Sequence, residues 1–144
     1  MATYIWGVLC TDVVLDAHTG EASYIKTVVR LQPDELPARL PNIFAAVTWK
    51  RAPGEDTTLI RMRAIGPDEE EFAQTEAGKL EFHNTTWWRN RFPLVGLVIE
   101  QPGTHNFVLE QQVDGKWVTE AKLPLDIFPP SESKEERLEA EVDQ

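Results

Sequence analysis

Cysteine is almost missing from this chain: Cys10 is the single one in 144 residues. One thiol closes no internal disulfide and builds no thiolate metal cage. Long apolar runs are missing too, none approaching the roughly 20 residues that cross a bilayer as a helix. Positive charge is scarce, with 14 Lys and Arg against 24 Asp and Glu, a formal net charge of −10. Nucleic acid and anionic membrane both reward a positive field, so neither is expected as a partner. His18, His83 and His105 lie far apart, without H-x-H or H-E-x-x-H spacing, which removes the usual zinc signatures. G-x-S-x-G, P-loop and G-x-G-x-x-G patterns are lacking as well. No catalytic residue, resident metal or cofactor is therefore expected. The first ten residues have no basic region and no small-residue cleavage site, so a cytoplasmic protein without a signal peptide is expected.

What the chain does carry is aromatic and alternating. Five Trp, six Phe and two Tyr within 42% apolar residues suffice for one folded domain with a proper core. Ile43, Ala45, Val47 and Trp49 alternate cleanly, the period of a half-buried strand. Ile60, Met62 and Ala64 repeat the pattern, with Arg61 and Arg63 outward. Val95, Leu97 and Ile99 follow, then Phe107, Leu109 and Val113, then Leu123, Leu125 and Ile127. Asp114-Gly115 between the last two runs predicts a tight hairpin, because such turns need positive φ at their central residues. Turn signals at Pro53-Gly54, Gly66-Pro67-Asp68 and Pro102-Gly103 recur at roughly ten-residue spacing, as in an all-β sandwich or barrel.

These patterns predict an all-β antiparallel sandwich of eight or nine strands, immunoglobulin-like or jelly-roll-like, over residues 1–128. The expected core is Ile5, Ile25, Val29, Ile43, Val47, Trp49, Ile60, Met62, Leu97, Ile99, Phe107, Leu109 and Leu125. Residues 129–144 form an acidic tail with a net charge of −4 after residue 130. There Ser133-x-x-Glu136 resembles a capping box, so a short frayed helix or a disordered end is expected.

The most unusual local patch is Trp87-Trp88-Arg89-Asn90-Arg91. Exposed aromatics beside arginines stack on partners, and Trp and Arg are enriched at interface hot spots. Trp87, Trp88, Arg89 and Arg91 are thus the expected binding residues, although in a strand only one of the two tryptophans points inward. The expected partner is another protein or a second copy, giving a homodimer. Two other classes compete. Acidic loops at Asp12-x-x-x-Asp16, Glu55-Asp56 and Asp68–Glu71 would suit a calcium-dependent membrane- or ligand-binding sandwich. Cys10 and Asp12 with a histidine would suit a hydrolase.

Further residues carry a resemblance: Leu9-Cys10-Thr11-Asp12-Val13, Gly20 to Ile25, Leu40-Pro41, and Phe44 with Val47 and Trp49. With them go Pro53-Gly54-Glu55, Gly66-Pro67-Asp68, Phe92-Pro93, Pro102 to Phe107, Asp114-Gly115 and Pro124-Leu125. Together, across Tyr4 to Ile127, the chain resembles an uncharacterised bacterial family of small single-domain proteins, a domain of unknown function. The resemblance implies a β-sandwich and carries over no functional residue. The Trp87-Trp88 patch and the acidic tail look particular to this sequence.

Overall fold

The alternation of Ile43, Ala45, Val47 and Trp49 becomes the inner face of a central strand, and all four are buried. The structure is a computed structural model and describes residues 2–15, 18–19 and 21–130. In chain order its strands are β1 (Thr3–Leu15), β2 (Ala22–Thr27), β3 (Arg30–Leu31), β4 (Ala38–Arg39), β5 (Ile43–Lys50) and β6 (Thr57–Ile65). They continue as β7 (Glu71–Gln74), β8 (Gly78–Glu81), β9 (Trp87–Leu94), β10 (Val98–Ile99), β11 (Gly103–Val113) and β12 (Lys116–Ile127). No helix occurs among the described residues, and none there is long and apolar enough to cross a membrane.

The protein is all-β. One sheet runs β2-β1-β5-β9; the other runs β3-β12-β11-β6, with β7 and β8 pairing successive stretches of β6. Strands β4 and β10 form a separate two-residue ladder. Every pairing is antiparallel except β12 with β3, parallel over two residues. The count among the described residues is twelve rather than eight or nine, because β3, β4 and β10 are two-residue pieces with no readable period. The hairpin turn forms as expected, Asp114 and Gly115 both having positive φ. The expected tail helix lies outside the described residues.

Trp49, Phe82, Phe107, Met62 and Leu109 fill the space between the sheets. Burying each such side chain stabilises the fold by about 1.5–3 kcal/mol. Trp49 is satisfied as well as buried: its indole N–H donates to Asn90 Oδ1 at 2.7 Å. A buried polar fastener completes the core. Gln111 Oε1 accepts from the Ala2 N–H at 2.8 Å and from Thr58 Oγ1 at 3.2 Å. Its Nε2 donates to the Ala2 carbonyl at 2.8 Å and to Glu120 Oε1 at 2.7 Å. One side chain therefore ties the start of β1 to the facing sheet.

Two expected core residues are corrected. Ile5 is 46% exposed because the β1–β5 register shifts between Tyr4 and Trp6, a bulge that takes Ile5 out of the alternation. Val29 is 59% exposed because the chain changes sheets there. The Val28 N–H donates to the Leu9 carbonyl in one sheet, while the Val29 carbonyl accepts from the Asp126 N–H in the other. Leu97 is partly buried against the core, and the side chain of Ile25 lies outside the described residues. The expected run through Val95 is also broken. Gly96 takes a φ of 72°, leaving Val95 exposed and only Val98–Ile99 as strand.

Candidate functional site

Strand register decides which side chains share the outer face of the four-stranded sheet. Inner positions of β5 are odd-numbered, so Phe44, Ala46, Thr48 and Lys50 look outward. Opposite them in β9 stand Pro93, Arg91, Arg89 and Trp87. On the other flank β1 sets Cys10 against Phe44, Val8 against Ala46 and Trp6 against Thr48. The bulge at Ile5 brings Trp6 into this phase. The result is an aromatic and cationic face with Trp87 53% exposed and Trp6 44% exposed.

Two of the cations on this face lie over rings. Lys50 Nζ is 5.4 Å from the Trp87 ring centre, and the Arg91 guanidinium carbon is 5.0 Å from that of Phe44. Such pairs contribute about 0.5–1 kcal/mol at exposed sites. Arg91 Nη1 also approaches Asp12 Oδ1 at 3.8 Å, with both side chains 54% exposed. Asp12 accepts the Val13 N–H as well.

The expected patch is thus split by its own strand. Trp87, Arg89 and Arg91 share the outer face. Trp88 does not join them: it is opposite Trp49 in the register, packs against the core and sits 5.4 Å from the His83 ring. Its place as a contact residue of that face is corrected, since adjacent residues of a strand point to opposite sides. Trp88 instead borders a groove of about 690 Å³ between β9 and the β7–β8 edge, with Met62, Leu80, Leu94 and Leu97 along it. Trp6 and Phe44 complete the outer face and were missed by sequence reasoning. Phe44 was signalled by the alternation of β5; Trp6 depends on the bulge and carried no signal.

A second, smaller pocket of about 450 Å³ is lined by Asp68, Glu70, Glu71, Glu100 and the buried His105. The His105 Nδ1–H donates to the Gly103 carbonyl at 3.1 Å, and the ring stands edge-on to Phe72. Burial pushes its pKa down, against smaller opposing effects of Gly103 and Asp68. The acidic loops do not converge. Asp56 pairs with Arg51, Glu71 with Arg63 and Asp12 with Arg91. Among the described residues no three metal-ligating side chains group together, and Asp16 lies outside them. The Cys10 thiol is wholly buried, and burial pushes its pKa up more than the Asp12 backbone hydrogen bond lowers it. A nucleophilic thiolate needs the opposite environment. His83 and His105 are engaged with Trp88 and Gly103, away from Cys10.

No curated protein matches this sequence. A family model described as a family of unknown function, DUF6941, matches residues 5–126. That span takes in the strands of both sheets from β1 to β12, and by it the chain belongs to this family of unknown function.

Proposed function

We propose that this protein is a non-enzymatic binding or accessory module of the bacterial cytoplasm, acting through protein–protein contacts. Its contact surface is the outer face of the four-stranded sheet, carried by Trp87, Arg89 and Arg91 with Trp6 and Phe44. The fold reading that goes with it is an immunoglobulin-like or jelly-roll sandwich over residues 1–128, followed by an acidic segment. One observation carries the proposal: two exposed tryptophans and a row of cations share one sheet face on a chain of net charge −10. Exposed aromatic faces mark interaction sites, and Trp and Arg dominate the energetics of interfaces.

The first partner to test is a second copy, since two-fold dimers are the commonest closed assembly. Arg91 and Asp12 are neighbours on this face. A two-fold axis through it sets each Arg91 against the Asp12 of the other copy and offsets the repulsion of two cationic rows. The measurement is light scattering at tens of micromolar protein, on the native chain and on Trp87→Ala. A dimer that the substitution dissociates is expected. A native monomer, or a dimer indifferent to Trp87→Ala, refutes self-association through this face.

A further inference from the structure

Strand β9 is the outermost strand of its sheet. Strand β5 lies on one side, and no strand among the described residues lies on the other. The Arg51 N–H donates to the Thr86 carbonyl at 2.8 Å, and the β5–β9 register continues from there. Even-numbered residues of β9 therefore turn their backbone groups toward β5, and odd-numbered ones toward the open edge. A sheet edge is a template for a further strand.

Two lanes flank this edge. On the outer side project Arg89 and Arg91, with Lys50 beside Trp87. On the inner side runs the groove of about 690 Å³ bordered by Trp88, Met62, Leu80 and Leu97. A strand added here places successive side chains alternately over groove and cations. It must therefore read apolar, acidic, apolar, acidic. Leu138-Glu139-Ala140-Glu141-Val142-Asp143 reads that way over six residues.

We propose that Leu138–Asp143 of the same chain docks along the edge of β9 as an added antiparallel strand. Its apolar residues lie over the groove, and Glu139, Glu141 and Asp143 meet the cation row. The direction follows from where β12 ends. Ile127 pairs with Gly103, at the end of the molecule where Gly66, Gly96 and Gln101 share a pocket. That is the Leu94 end of β9, so a segment arriving there runs back toward Trp87. The reach is sufficient: residues 131–137 extend up to about 23 Å. Crossing three strand spacings and one sheet spacing requires roughly 17 Å.

The test uses the full chain and a version with Leu138→Asp and Val142→Asp, which keeps the segment and spoils its apolar lane. Hydrogen exchange at the Arg91 amide is expected to quicken at least tenfold in the double variant. A fluorescent peptide of residues 135–144 is expected to bind that variant at least tenfold tighter than the unaltered chain, whose own segment competes. Equal exchange with equal peptide binding overturns the proposal. Protection that grows with protein concentration in a Trp87→Ala background, where the outer-face dimer is broken, also overturns it, by assigning the occupant to a second copy, and so do carbon chemical shifts showing helix over residues 138–143. Charge exchange reads the outer lane separately. Arg89→Glu with Arg91→Glu is expected to weaken protection along β9, and adding Glu139→Arg with Glu141→Arg to restore it; failure to restore counts against the proposal.

Discussion

The outer faces of the two sheets use the same residue types to opposite ends. On the six-stranded sheet Glu110 stands directly across from Arg61 in the register. It accepts from Arg61 at 2.7 Å and from Arg63 at 3.4 Å, with its own side chain only 6% exposed. Arg63 gains Glu71 at 2.9 Å, and Arg61 lies 4.2 Å from the ring centre of Trp117. On the four-stranded sheet the residues across from Arg89 and Arg91 are Thr48 and Ala46, and neither offers a charge. Asp12 reaches Arg91 only from the flank, at 3.8 Å and in solvent. A carboxylate at the centre of a face turns its arginines and tryptophan into structure. On the four-stranded face Arg91 meets a carboxylate only at the flank, and Trp87 stays exposed.

That contrast breaks most readily at Glu110. Glu110→Ala leaves two guanidinium groups without their shared acceptor and is expected to cost about 3 kcal/mol. Asp12→Ala on the opposite face is expected to cost under about 0.5 kcal/mol. Urea denaturation of the two variants measures both, and equal losses would dissolve the distinction. Next in size are the tryptophans. Trp117→Ala is expected to cost about 1–2 kcal/mol, from the arginine stack and lost packing. Trp87→Ala should stay within about 0.5 kcal/mol while altering association; a large stability loss would make Trp87 a structural residue. The last prediction is a slope on neither outer face. Burial holds the His105 pKa below 6.5, so between its folded value and 6.5 the unfolded chain binds more protons. Stability then rises with pH through that window and is complete above 6.5. The urea midpoint should climb between pH 5 and pH 7, and His105→Gln should flatten the climb.

Much of this arrangement was legible in the chain, where one period decided the outcome. Ile43 to Trp49, Ile60 to Ala64 and the Asp114-Gly115 turn needed only alternation and positive φ. The split between Trp87 and Trp88 followed from the same alternation, although which of them faces inward depends on the register with β5. The misses are places where neighbours overrule the local pattern. Ile5 looked like a core residue because nothing in Tyr4-Ile5-Trp6 announces a bulge. Val29 looked like one because a strand that changes sheets keeps its apolar composition. Gln111 was invisible, since a polar residue in a strand reads as outward unless its bonds to Ala2, Thr58 and Glu120 are known.

Gln111 also sets a timetable. Its partner Ala2 lies 109 residues away in the chain. A ribosome adding about 5–20 residues per second makes Ala2 wait roughly 5–20 s for it. Through that interval β1 has no facing sheet to close on, and Leu9, which the finished core hides, is open to solvent. Alkylation of a Leu9→Cys, Cys10→Ser chain should therefore act as a clock, fast on nascent or refolding chains and arrested once the two sheets meet.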